Sequence, residues 1–172
     1  MTDRVDFYVL KGVAERQRWL LACRLAEKAY LADQRVVMLS SSHAEAAALD
    51  ALLWTFDEHS FVPHRLHPAT GAPSPGDPTP GASHGPAVPA AGPPPVEIAA
   101  ADPGAAAAAG VSAADLLVNL TNRTPDPIGR FARIAEIVDA GEERRRFGRE
   151  RFKYYRDLKI SLEAHQLDDD GP

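Results

Sequence analysis

The sequence predicts an α/β fold, a layered and mainly parallel sheet of about five strands with helices on both faces. Three observations point there. VDFYVL (residues 5–10) and RVVMLS (35–40) have the length and the β-branched, aromatic composition of buried strands. Between and after them, apolar residues recur every three or four positions, the period of an amphipathic helix. The resulting order of strand, helix, strand, helix suits a parallel sheet, whose neighbouring strands need a crossover rather than a tight turn.

Taken in order, the strand at 5–10 begins the fold. A helix over 14–32 follows, with Trp19, Leu20, Cys23, Ala26, Ala29 and Tyr30 as its apolar face. The run at 35–40 is nearly continuous in apolar residues, as expected of a central strand covered on both sides. Ser42 with Glu45 forms a capping box, which starts a second helix reaching Trp54. PVEIA (95–99) and DLLVNL (115–120) are the next strands. Pro125 and Pro127 suit a turn and a short helix start ahead of a strand at 134–138, and a last helix covers 141–159.

One domain spanning 1–172 is expected, interrupted by a segment of another kind. Between 66 and 95, ten of thirty residues are proline, five are glycine, and Asp77 is the only charged residue apart from histidine. Such a stretch lacks backbone donors and has little apolar surface to bury, so the sequence predicts a disordered insertion there. Its length is tolerable because loop-closure entropy grows slowly. ADPGAAAAAG (101–110) reads as a second surface loop and 165–172 as a disordered acidic tail.

Composition narrows the function classes. A single cysteine excludes an intramolecular disulfide and a cysteine-rich zinc site. No signal-peptide core and no run of about 18 apolar residues occurs, so the expected location is cytoplasmic, with no membrane partner. The loop after the first strand, LKGVAERQ, holds one glycine and so offers neither a dinucleotide fingerprint nor a phosphate-binding loop. The histidines lack helical pairing or a carboxylate trio, and Cys23 reads as a small buried thiol. No catalytic residue, metal ligand or cofactor is assigned.

The last helix contains RRRFGRERFKYYRDLK (144–159), eight basic residues against two acidic ones in a chain of net charge −5. Helical spacing puts Arg145, Arg149, Phe152, Lys153 and Arg156 on one side. Phe147, Arg151, Tyr154, Tyr155 and Leu158 fall on the other, which is expected to pack on the sheet. The basic side is either a solvated face or a surface for a peptide carrying both carboxylates and a large apolar side chain. Duplex DNA fits less well because the rest of the chain is acidic. Direct binding of single-stranded DNA, or a nucleotide-dependent enzyme on the same scaffold, are the alternatives. A second aromatic group, Trp54, Phe56 and Phe61, lies in LLWTFDEHSFVPH (52–64), as core or as interface anchors.

Five stretches in order carry a resemblance: DFYVL, LLWTFDEHSFVPHRL, PVEIA, DLLVNL and RERFKYYRDLKISL. Together they make the sequence similar to the chi subunits of bacterial DNA polymerase III, accessory proteins of the clamp loader. The proline-rich insertion is longer than is usual in that family, and the alanine-rich loop is unlike it.

The resemblance implies a Rossmann-like α/β fold without nucleotide binding and a non-catalytic role at replication forks. In the family that role joins the clamp loader, through the psi subunit, to the acidic C-terminal tail of single-strand-DNA-binding protein, so that DNA is met only indirectly. The tail ends in aspartates followed by Pro-Phe. By resemblance Arg149 is the main carboxylate clamp, supported by Arg145 and Lys153, with Arg156 on the same face. Phe152 and Val138 would form the pocket for the terminal phenylalanine. Phe152 stands where the family has tyrosine, and Arg145 where it has lysine. Trp54 and Phe61 match the family's surface for psi or a helicase. Asp168, Asp169 and Asp170 resemble the acidic half of the expected ligand and could compete with it, or serve only as a solubilising terminus.

Overall fold

The computed structural model describes residues 1–67, 95–101, 111 and 113–167. In chain order these form β1 (Arg4–Leu10), α1 (Glu15–Leu31), β2 (Val36–Ser40), α2 (His43–Thr55), β3 (His64–Leu66), β4 (Val96–Ala100) and β5 (Ala114–Asn119). A 3-10 turn (Ile128–Arg130), β6 (Phe131–Val138), α3 (Glu142–Asp157) and β7 (Ser161–Leu167) follow. All strands lie in one sheet, ordered β3-β4-β2-β5-β6-β1-β7, and every pairing is parallel.

The α/β class is as the sequence predicts, with seven strands among the described residues in place of about five. The two additions are both edge strands. β3 has only three residues, paired with β4 from His64↔Val96 to Leu66↔Ile98. β7 reads SLEAHQL, too polar to stand out as a strand. Its pairing with β1 runs to Gln166↔Val9 and Leu10↔Leu167. A disordered tail from 165 is therefore corrected: residues 165–167 are strand, because β1 would otherwise leave a row of backbone donors and acceptors unpaired. The insertion boundary shifts for the same reason, since Leu66 belongs to β3 and the Pro95 carbonyl accepts from the Val36 amide at 2.7 Å. Residues 68–94, most of the alanine-rich loop (102–110) and 168–172 lie outside the described residues.

Strand alternation sends side chains to two cores. Tyr8, Leu10, Met38 and Val118 pack with α1 and α2 on one face; Val5, Phe7, Leu39, Ile134 and Val138 pack with Tyr155 of α3 on the other. The capping box forms at α2. The Ser42 hydroxyl accepts from the Glu45 amide at 3.1 Å, and the Glu45 carboxylate reaches back to the Ser41 amide at 2.7 Å.

The buried face of α1 is rotated from the one expected. Leu21, Ala22, Cys23, Leu25, Ala26 and Ala29 are buried, whereas Trp19, Leu20 and Tyr30 are only partly covered. Arg18 lies on that buried face, is itself fully buried and donates to the Leu120 carbonyl at 2.9 Å. Burial pushes the Cys23 thiol up to about 12.

Candidate functional site

The position of α3 follows from one buried carboxylate. Glu136, on β6 and fully buried, accepts from Tyr155 Oη at 2.7 Å, from Arg151 Nε at 2.9 Å and from Asn119 Nδ2 at 3.1 Å. A buried carboxylate is tolerable only with such donors around it. Burial, and then the adjacent Glu136 carboxylate, hold the Tyr155 phenol far above its usual pKa. One turn earlier, Gly148 brings the helix backbone close to the sheet, since a Cβ there would lie 3.0 Å from a methyl of Val138. Gly148, Arg151 and Tyr155 thus define the inward line of the helix.

That line corrects part of the predicted packing face. Arg151 and Tyr155 point in, as expected, but Tyr154 and Leu158 are exposed. Tyr154 falls at the margin of that line, edge-on to the Tyr155 ring, and Leu158 is the cap after the last helical residue.

On the flank facing β1 and β7, the helix and the sheet leave an apolar groove of about 210 Å³. β1 supplies Phe7 and Val9, β6 Val138, and β7 Ala164; α3 supplies Gly148, Phe152, Arg145 and Arg149. Phe152 is 37% exposed and leans on Phe7, with ring centroids 5.3 Å apart.

The helix arginines divide into occupied and available ones. Arg144 pairs with Asp139 at 3.1 Å and Glu15 at 3.4 Å, Arg151 pairs with Glu136, and Arg146 lies over the Phe147 ring at 4.8 Å. The side chains of Arg145 and Arg149 are exposed and have no ion-pair or hydrogen-bond partner among the described residues. Two unneutralised guanidiniums therefore stand on an apolar groove, an arrangement suited to an anion with an apolar appendage.

Of the six residues placed on this side by the sequence and the resemblance, the fold brings four together: Arg145, Arg149, Phe152 and Val138. Lys153 and Arg156 do not line the groove. At 100° per residue Lys153 is about half a turn from the inward line. Arg156 is exposed beside Asp157, at 3.8 Å. Phe7, Val9, Gly148 and Ala164 were not foreseen. A glycine inside a helix is the one signal in the sequence that could have found Gly148, since it often marks a close approach.

The other expected surface lies at the opposite sheet edge. Trp54, at the end of α2, is half-buried with its ring 5.6 Å from Phe61 and 4.6 Å from His64. Phe61 is 54% exposed, and the indole Nε1 of Trp54 is buried with no hydrogen-bond partner. His64 is held by the Val62 carbonyl at 2.7 Å and by Asp50 at 3.2 Å.

Two further groupings bear on cofactors. Asp6, Glu163 and His165 lie close enough to share a cation, but Asp6 already accepts from Arg4, Arg133 and His165. Two guanidiniums, those of Arg4 and Arg133, already balance its charge. At the carboxyl ends of the strands a cleft of about 320 Å³ is lined by Glu15, Trp19, Ser41, Ser42, Ala44, Glu45 and Arg144. Parallel sheets often bind phosphates at this end. Here the α2 N-terminus already holds the Glu45 carboxylate, which also accepts from Trp19 Nε1 at 3.0 Å.

The sequence matches the profile of the family described as "DNA polymerase III chi subunit, HolC" over residues 1–163. The chain belongs to that family. It is 30% identical to the DNA polymerase III subunit chi of Pseudomonas aeruginosa, covering 95% of this chain and 96% of that protein. The Haemophilus influenzae subunit chi is 27% identical, with 91% and 92% covered, and that of Escherichia coli 28% identical, with 83% and 80% covered. This chi-family chain is therefore an accessory subunit of DNA polymerase III, acting in DNA replication. The crystal structure of T4 UvsW aligns with a TM-score of 0.60 at 9% identity, over 98% of this chain and 42% of the UvsW chain, a likeness of fold alone. No described helix is long and apolar enough to cross a membrane.

Proposed function

We propose that this chi-family chain is a non-catalytic adaptor whose α3 groove binds the acidic C-terminal tail of single-strand-DNA-binding protein. The observation that carries the reading is the pair of unpartnered guanidiniums, Arg145 and Arg149, on an apolar groove walled by Phe152 and floored in part by Val138. The guanidiniums suit the aspartates and terminal carboxylate of such a tail. The groove suits a terminal aromatic ring, which enters water-poor space at a gain of about 25 cal/mol per Å² buried. Lys153 and Arg156 raise the local positive potential without touching the ring, a contribution to association rate more than to residence time.

The adaptor role also needs a second surface, and Trp54 with Phe61 at the opposite sheet edge is its natural place. An exposed ring beside a buried indole donor has the make-up of an interface anchor, here for the psi subunit or a helicase. Two surfaces so far apart can be occupied at once.

The test is a calorimetric titration with a synthetic tail peptide ending in aspartates, proline and phenylalanine, beside the same peptide lacking the phenylalanine. Loss of at least tenfold in affinity on removing the ring is expected, from about 1.4 kcal/mol per tenfold. A single-stranded oligonucleotide that bound more tightly than either peptide, with a steep salt slope, would favour direct DNA binding by the basic helix instead.

A further inference from the structure

We propose that an acidic peptide ending in an aromatic residue binds as an added strand on the open edge of β7, antiparallel to it, with its terminal ring in the α3 groove. The inference rests on the groove being a peptide site and adds the backbone contacts by which the peptide is held.

Strand β7 closes one end of the sheet, and among the described residues its outer side has no strand partner. Exposed edges are ordinarily kept short, bulged, or guarded by lysine or proline. The opposite edge follows that rule, since β3 has only three residues. β7 has seven, SLEAHQL, in unbroken register with β1 from Arg4↔Ser161 to Leu10↔Leu167, and holds neither proline nor lysine. Its one carboxylate, Glu163, is bonded to Arg4, and His165 donates to the buried Asp6 at 3.0 Å. Alternate residues of such a strand direct their amide and carbonyl outward, where an extended peptide can pair with them.

The edge is continuous with the groove. Ala164 lines the groove and is paired with Phe7, on which Phe152 leans. The small side chain of Ala164 leaves space for a ring carried by a neighbouring strand. Because β6 and β7 both run parallel to β1, α3 between them runs back along the sheet. Arg145, in its first turn, lies towards the Leu167 end of β7, and Phe152 lies near the level of Ala164. A peptide with its terminal ring against Phe152 and its carboxylates at Arg149 and Arg145 therefore runs antiparallel to β7. Strand periodicity fits the same arrangement, since the last residue and the one two before it share a face, turning a ring and a carboxylate together towards α3. Charge selects the occupant. A second copy paired edge to edge would add its own uncompensated arginines to the same face, whereas an acidic peptide neutralises them.

The test titrates the full chain with a synthetic peptide ending in Asp-Asp-Asp-Pro-Phe and with two backbone-methylated forms of it. Proline lacks an N–H and faces away from the edge, so the aspartate before it presents its amide to β7 and the preceding aspartate does not. N-methylation of the first should lower affinity about tenfold, and of the second by less than about threefold, with every side chain and charge kept. On binding, amides of alternate β7 residues should gain protection from hydrogen exchange. Parent-like binding by both methylated peptides, with β7 exchange unchanged, overturns the strand addition and leaves the groove reading standing. Equal losses at the two positions also overturn it. A parent peptide that does not bind overturns both readings. Protection of β7 without peptide, rising with protein concentration, assigns the edge to a second copy and overturns the proposal.

Discussion

The ring of Phe152 lies 5.3 Å from that of Phe7, tilted by 58°. Phe7 is itself buried and meets Tyr155 edge-on at 6.2 Å. The aromatic residue standing among the arginines is therefore braced from the sheet and forms a fixed wall of the groove. Removing it with Phe152→Ala should weaken tail-peptide binding by about tenfold or more. The change in folding stability should stay within about 2 kcal/mol, because part of the ring is already in water. Phe152→Tyr should bind like the parent, since the pair with Phe7 is kept. Calorimetry and urea unfolding on the same preparations separate the two effects.

The attitude of α3 depends on Glu136. Glu136→Gln leaves the Arg151 guanidinium buried without its counter-charge, and breaking such a pair costs about 3–5 kcal/mol. Tyr155→Phe removes one hydrogen bond to a charged acceptor, a loss of about 1.5–3 kcal/mol. Urea midpoints should rank parent above Tyr155→Phe above Glu136→Gln. A Glu136→Gln protein as stable as the parent would show that the carboxylate is not the anchor.

Gly148→Ala sets two effects against each other. Alanine favours the helix by about 1 kcal/mol, while the added methyl, 3.0 Å from Val138, brings crowding of about 1–3 kcal/mol. Stability should change little, whereas peptide affinity should fall because the methyl enters the groove. Unchanged affinity, measured by titration, would place the ligand elsewhere.

The fold was legible where hydrophobic burial is complete and illegible where it is not. β1, β2, β4, β5 and β6 announce themselves through apolar runs such as VVMLS, every residue of which is buried. β3 and β7 owe their strand conformation to a neighbour's unpaired backbone, information carried by β4 and β1 and not by HRL or SLEAHQL. The same division holds at the groove. Arg145, Arg149 and Phe152 were visible from helical spacing, and Val138 through the resemblance. Ala164 could not be seen until β7 was a strand, nor Val9 until the direction of α3 was known. Spacing also misplaced Tyr154 and Leu158, because the inward line is set by Gly148 and Arg151, a glycine and a charge, which hydrophobicity ignores.

Asp6 makes acid stability measurable. Burial alone would raise its pKa, but hydrogen bonds from His165, Arg4 and Arg133 outweigh that and hold it below the usual carboxylate range. A carboxyl with a depressed folded pKa stabilises the fold above its unfolded pKa of about 3.9 and loses that contribution as pH falls through the folded value. Unfolding free energy should therefore drop steadily below about pH 4. Asp6→Asn should remove this part of the drop while lowering stability at neutral pH. An unaltered acid slope in the variant would assign the effect to other carboxylates.

The groove account is tested most directly by titrating one acidic, phenylalanine-terminated tail peptide into the parent, Arg149→Ala and Lys153→Ala under one low-salt condition. Arg149 lines the groove and Lys153 does not, although both are exposed cations on the same helix. Loss of a charge-assisted contact of about 1.5–3 kcal/mol should cost Arg149→Ala roughly ten- to a hundredfold in affinity, and Lys153→Ala only about two- to threefold. Equal losses in the two variants, or none in either, would contradict a peptide seated between α3 and the β1–β7 edge.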